Sequence, residues 1–156
     1  MVCLGNICRS PMAASVATAM VAEAGLADRV EVESFGTAGY HVGGPADHRA
    51  RDALRRHGWP AEGHCARQIT ADDITAADLV LVADHANRAD VARLARDDAD
   101  RGKVRLLRSF DPDLAGGGGD EVPDPWFGDA RDFDHTLRLI EAACRGLVGH
   151  LAATPR

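Results

Sequence analysis

The chain opens Met1-Val2-Cys3-Leu4-Gly5-Asn6-Ile7-Cys8-Arg9-Ser10-Pro11, and this stretch decides the fold. It reads as the end of an apolar strand, a turn-forming segment and a helix start. Ser10 is expected as N-cap and Pro11 as the first helical residue, because a Ser hydroxyl satisfies a free N–H and proline presets a helical φ without having to donate. An apolar face of Met12, Val16, Ala19 and Met20 then runs to a stop at Gly25. Strand, polar turn and helix in succession form the unit from which parallel sheets are wound.

The rest of the chain repeats that alternation. Val30 to Phe35 alternates as a strand, Asp47 to His57 reads as a helix ended by Gly58, and Thr70 with Asp73 forms a capping-box signature for a short helix. Leu79 to Ala83 is the most apolar strand, His85 to Ala95 a helix and Val104 to Leu107 a further strand. Phe133, Leu137, Ile140, Cys144, Leu147 and Leu151 trace one face of a long last helix. The expectation is an α/β fold: a single domain over residues 1–156, with a doubly wound four-stranded parallel sheet flanked by helices. One long irregular stretch remains, carrying Asp111-Pro112, the run Gly116 to Gly119, and Asp124-Pro125-Trp126-Phe127. Such a loop in a compact domain is usually functional or disordered, and the paired aromatics favour function, with mobility expected in the glycine portion.

Composition excludes several classes. At 156 residues the chain can bury a core without disulfides or metals. No apolar run reaches the roughly 18 residues that would span a bilayer, and the N-terminus lacks signal-peptide character, so a cytoplasmic protein with no membrane association is expected. Net charge is −6, and the basic residues, seventeen Arg and one Lys, are scattered among acids. That argues against a nucleic-acid partner. Four cysteines without an export signal read as reduced thiols. Cys3 and Cys8 have unusual neighbours; Cys65 and Cys144 read as packing residues.

Cys3 and Arg9 stand six positions apart around Gly5 and Asn6, the residue types that most readily take left-handed backbone angles. Such a loop, comprising Leu4, Gly5, Asn6, Ile7, Cys8 and Ser10 besides its two ends, can curl its N–H groups toward one centre and form a nest for an oxyanion. The helix that follows adds its unpaired N–H groups and dipole, and the same field favours a thiolate at Cys3. A cysteine in such surroundings titrates at roughly pH 3.5–7.5 instead of near ~8.5. Arg9 supplies a planar fork for two phosphate oxygens. A phosphoryl group attacked by sulfur also needs a proton for its leaving oxygen, and a loop aspartic acid would supply roughly 10²–10⁴-fold by that route. Asp124, followed by Trp126 and Phe127 to exclude water and wall a flat ring, is preferred to Asp111. No metal and no cofactor is required.

Cys3 to Pro11, joined to Asp124-Pro125-Trp126-Phe127 more than a hundred residues later, resembles the low-molecular-weight protein tyrosine phosphatase family, and most closely its bacterial, actinomycete-like branch. Ser34-Phe35-Gly36-Thr37-Ala38-Gly39, Ala66-Arg67-Gln68 and Arg108-Ser109-Phe110-Asp111-Pro112 extend the resemblance over the whole chain. It implies a cysteine-dependent hydrolase of protein phosphotyrosine and small aryl phosphates, working as a monomer and binding inorganic phosphate. Cys3 would be the nucleophile, Arg9 the phosphate ligand and Asp124 the general acid and base. Ser10 would bond the thiolate, Asn6 brace the loop, and Tyr40, Trp126 and Phe127 line the mouth. Cys8 would pair with Cys3 under oxidation. His64 reads as a structural hydrogen-bonding histidine.

Two departures from the family pattern stand out. Relatives carry several apolar residues before the nucleophile, whereas only Met1 and Val2 precede Cys3, so the first strand is expected to be truncated and the fold marginal if translation begins at Met1. Many relatives have two tyrosines after the Asp-Pro pair; Trp126 and Phe127 have no hydroxyl to phosphorylate. Two rivals of the same fold remain, an arsenate reductase and a protein arginine phosphatase. The stretch Val82 to Ala92 holds no further cysteine for the first, and Ile7 stands where the second typically has a smaller polar residue.

Overall fold

A computed structural model describes residues 1–114 and 119–155. Four parallel strands, β1 (Val2–Cys3), β2 (Phe35–Gly36), β3 (Val80–Val82) and β4 (Val104–Leu106), lie in the order β2-β1-β3-β4. Side chains alternate across a strand, and here the alternation sorts the core into two layers. Val2, Val80, Val82 and Phe35 pack with Ile69, Ile74 and Val91 on one face. Cys3, Leu81 and Ala83 pack with Met12, Val16, Leu54, Phe133, Leu137 and Ile140 on the other.

Helices α1 (Arg9–Glu23), α2 (His48–Arg56) and α6 (Ala130–Ala153) cover that second face; α4 (His85–Leu94) and the five-residue α5 (Asp98–Gly102) lie against β4, and α3 (Ala71–Ala76) supplies Ile74 to the first. The caps follow the sequence closely. Asp47 accepts from Arg49 N–H at 2.8 Å, Gly58 takes φ +81° past α2, Gly25 takes φ +71° past α1, and Thr70 with Asp73 closes a capping box. Among the described residues no helix is long and apolar enough to cross a membrane.

Three local expectations are corrected. α1 begins at Arg9 with Cys8 as its cap residue and no side-chain cap; the Ser10 hydroxyl is engaged elsewhere, and Pro11 sits inside the first turn, where a missing N–H is tolerated. Of Val30 to Phe35 only Phe35 is in a strand. A ladder needs a partner, and β1, with its register of Val2 against Phe35, offers nothing alongside residues 30–33 beyond the Met1 amine, which donates to the Glu33 carbonyl at 2.7 Å. Cys65 is exposed and packs in no core, unlike Cys144, which lies fully buried with its thiol pushed up to about 12 by that burial. α5, capped by Asp97, was not legible in a run of Asp and Arg without apolar periodicity. Mobility expected in the glycine run falls on Gly116 to Gly118, outside the described residues.

The strand order reverses between β2 and β3 on either side of β1. In open α/β sheets the crevice beyond the carboxyl ends at such a switch point is where ligands bind, and the segment after Cys3 lies there.

Candidate active site

Between β1 and α1 the chain turns through Leu4 to Cys8. The turn is made by Asn6, at φ +56° the single non-glycine with positive φ among the described residues. Gly5, expected to share that role, does not have positive φ; its missing side chain instead makes room for His41, whose Cδ2 would stand 3.2 Å from an added Cβ. A left-handed residue costs about 1–2 kcal/mol, and Asn6 is held there by both ends of its side-chain amide and by its backbone carbonyl. Its Nδ2 donates to Ser10 Oγ at 2.7 Å and to Ser34 Oγ at 3.2 Å, and its Oδ1 accepts from Arg67 N–H at 2.9 Å. Its backbone carbonyl meets His64 Nε2 at 2.6 Å. His64 is thus a strut, its pKa lowered by burial. Gly36 underlies the loop: a Cβ there would come within 2.7 Å of the Leu4 carbonyl and 3.1 Å of Asn6 N. Among the described residues the N–H groups of Gly5, Asn6, Ile7 and Cys8 donate to no protein acceptor. Backbone donors this close to a buried loop need a partner, and an oxyanion would be one.

Cys3 Sγ lies 3.0 Å from Ser10 Oγ. The Arg67 contact fixes the orientation of the Asn6 amide, so Ser10 Oγ accepts from Nδ2 and keeps its own proton for the sulfur. That engagement is why Ser10 does not cap α1. Arg9 is buried; Nη1 donates to Asp84 Oδ2 at 2.8 Å and to the Val122 carbonyl at 3.0 Å, while Nη2 lies 3.7 Å from Asp124 Oδ2. One edge of the fork is anchored and the other faces Asp124. Asp84 also caps α4 through Asn87 N–H at 2.7 Å, so one carboxylate fixes both a helix start and the guanidinium. The Asp84 pairing with Arg9 spans 75 positions, a separation over which residue spacing carries no signal.

Asp124 is half-exposed and accepts from Trp126 N–H at 3.2 Å, an Asx-type turn. Asp111 is placed elsewhere: buried, it pairs with Arg108 at 3.2 Å, and Arg108 also donates to the carbonyls of Gly119 and Glu121 at the far side of the loop. Around Asp124 the surface is apolar. Trp126 is partly exposed with its ring 6.1 Å from that of His41, and Phe127 is 97% exposed. Tyr40, 77% exposed, stands on the turn after β2, which is tied to the loop after β1 by Ala38 N–H on the Leu4 carbonyl at 2.9 Å. His41 was not singled out in the sequence, where a lone histidine carries no signal. Cys8 is buried beside this constellation with its thiol pushed well above the ordinary range, first by burial and then by Asp47.

A family model for low molecular weight phosphotyrosine protein phosphatases matches residues 1–155. The low molecular weight protein-tyrosine-phosphatase of Streptomyces coelicolor is 46% identical over 147 residues, covering 94% of this chain and 88% of that protein. A protein tyrosine phosphatase from Entamoeba histolytica, solved with Hepes in its active site, superposes with a TM-score of 0.90 at 28% identity, covering 97% of this chain and 94% of that one. The tyrosine phosphatase Wzb from Escherichia coli, solved in complex with sulphate, gives a TM-score of 0.81 at 26% identity over 96% of this chain and 94% of that one.

Proposed function

The chain belongs to the low molecular weight phosphotyrosine protein phosphatase family and is a protein-tyrosine-phosphatase, and from that premise we propose how its own residues carry out the hydrolysis. The phosphoryl group of a phosphotyrosyl protein sits in the loop of Leu4 to Cys8, its oxygens taken by the unpaired N–H groups and by the Arg9 fork. Cys3 Sγ, beside the Ser10 hydroxyl and the start of α1, attacks phosphorus. The bond from phosphorus to the tyrosyl oxygen breaks, and Asp124 gives that oxygen its proton. Asp124, now a carboxylate, takes a proton from water; the water oxygen bonds to phosphorus, the S–P bond breaks, and orthophosphate leaves with the Cys3 thiolate restored.

The observation that carries this reading is the convergence on one crevice of Cys3 with its Ser10 contact, the anchored Arg9 and, 3.7 Å from Arg9, Asp124. That Wzb was solved in complex with sulphate supports an oxyanion as ligand. Tyr40, Trp126 and Phe127 wall the aryl ring, and Cys8 would pair with Cys3 under oxidation. One chain supplies every group, which supports a monomeric enzyme. The test is hydrolysis of a phosphotyrosyl peptide by the purified chain beside Cys3→Ser, with a phosphoarginyl peptide as the contrasting substrate. Turnover of the first peptide that vanishes in the variant is expected; equal turnover by the variant, or preference for phosphoarginine, overturns the reading.

A further inference from the structure

Arg49, the second residue of α2, touches neither Cys3 nor Arg9 in the contacts above, yet its guanidinium is fully committed. Nε and Nη2 donate to the two oxygens of Asp47 at 3.0 and 3.1 Å, and Nη1 donates to the carbonyl of Trp126 at 2.8 Å and reaches that of Gly128 at 3.4 Å. Its flat face lies 5.3 Å from the Trp126 ring centre and 4.7 Å from that of Phe133. Asp47, besides capping α2, donates its backbone N–H to the Ile7 carbonyl at 2.8 Å. The result is a continuous polar path from the phosphate loop at Ile7, through Asp47 and Arg49, to the segment that carries Asp124.

That path matters because of what else holds the segment. Upstream of Asp124, Val122 N–H donates to the Ala83 carbonyl at 2.7 Å and Thr136 Oγ1 to the Pro123 carbonyl at 3.2 Å. Downstream, the described residues show no hydrogen bond from 125–128 to another element except those of Arg49; Trp126 N–H to Asp124 and Gly128 N–H to the Pro125 carbonyl are internal. Burial pushes the Asp47 carboxyl up, but the hydrogen bonds from Arg49 outweigh it and hold the group below the usual carboxylate range, so the pair stays ionised at neutral pH. A lysine has neither the fork to serve Asp47 and two carbonyls together nor the plane to lie between two rings.

We propose that Arg49 is a positioning residue, a strut from α2 that fixes Asp124 over the phosphate loop so that its proton meets the leaving oxygen. The inference rests on the reading of Asp124 as general acid. It implies a selective defect, because a proton is needed most where the leaving group is poor.

The test compares kcat/KM for phenyl phosphate, a poor leaving group, with that for p-nitrophenyl phosphate, a good one, in the wild type, Arg49→Met, Arg49→Lys, Asp124→Asn and the double variant Arg49→Met with Asp124→Asn. Methionine keeps an apolar stem between Trp126 and Phe133 while removing the fork. Asp124→Asn is expected to lose roughly 10²–10³-fold on phenyl phosphate and far less on p-nitrophenyl phosphate. Arg49→Met is expected to lose on the order of 10-fold on phenyl phosphate with a much smaller loss on the other substrate, less than the roughly 10²-fold that a full 1 Å misplacement can cost. Inhibition by inorganic phosphate should stay unchanged, Arg49→Lys should not restore the loss, and Arg49→Met should add nothing in the Asp124→Asn background. Equal losses on both substrates, or none, with Asp124→Asn still discriminating, overturn the strut alone. If Asp124→Asn does not discriminate, the acid assignment falls and the strut with it. Should Arg49→Met fail to fold, Arg49→Lys answers the same question.

Discussion

At its carboxyl end β1 runs into a loop where Asn6, fully buried and left-handed, spends its amide and its carbonyl on Ser10, Ser34, Arg67 and His64. At its amino end the same strand stops at Met1 beside a groove of about 400 Å³ that runs between Val30 to Glu33 and Leu79 to Leu81 and is floored by Ile69, Leu147 and Leu151. One end has more bonds than the turn needs for its geometry, and the other leaves strand-forming residues without a ladder. The contrast teaches where precision is required. On the proposed function the loop holds N–H groups and a sulfur around a tetrahedral anion and tolerates little displacement, so strain at one residue is offset by four partners. At the far end apolar burial and the Met1 amine, bonded to the Glu33 carbonyl, set the stability.

The largest effect should come from breaking the crowded end. Asn6→Ala strands the Ser10 and Ser34 hydroxyls and the Arg67 N–H at once, and each buried polar group left unpaired costs about 1–3 kcal/mol. The expected outcome is a drop in stability of about 2–4 kcal/mol in urea unfolding, with kcat/KM down at least ~10-fold because Ser10 no longer aims its proton at Cys3. Asn6→Asp, which keeps the shape but replaces the donor with a charge, should do no better; full activity in either variant would show that the network is decoration.

Filling the open end sharpens the contrast from the other side. By the register of Val2 against Phe35 and Val82, four residues placed ahead of Met1 would run along Glu33 back to Val30. An apolar β-branched tetrapeptide fused there should raise the thermal midpoint by several degrees. Burial of each such side chain contributes roughly 1.5–3 kcal/mol, against roughly 1–2 kcal/mol per residue for ordering the backbone. Turnover should not change. A midpoint that stays put, or falls, would mean that the groove does not accept a strand.

The smallest effect is a pH dependence seated in the same groove. Burial lowers the Met1 amine from an ordinary 8.0 to about 6. Above pH 8 it is neutral in folded and unfolded chain alike. Between 8 and 6 the unfolded chain binds a proton that the folded chain does not, so stability decreases as the pH is lowered and the loss is complete below about 6. Melting the 156-residue chain across that window should show this slope, and the tetrapeptide fusion, which carries the ammonium away, should flatten it. An identical slope with and without the fusion would assign it to another group.

Legibility followed the distance between partners. Asp47, Thr70 with Asp73, Gly25 and Gly58 do what their neighbours imply, since a cap or a left-handed exit is settled within one turn of helix. The Cys3 to Arg9 spacing is likewise local. Ser10 misled because its hydroxyl had two claimants: a helix N–H nearby in sequence and the Asn6 amide with the Cys3 sulfur, and the buried pair won. Val30 to Phe35 misled because alternation announces a strand without showing whether anything lies beside it.

What the sequence determined by itself is therefore the α/β order, the turn between Cys3 and Arg9, and the Asp-Pro segment with its aromatics, all matters of residue type over short spans. Only the tertiary structure decided that Asp84 and the Val122 carbonyl anchor Arg9, that Asp111 is tied to Arg108 while Asp124 faces the guanidinium, and that Arg49 bridges the two loops. Those partners lie up to 113 positions apart. Which strand lies beside which brings them together, and periodicity along a chain carries no record of that.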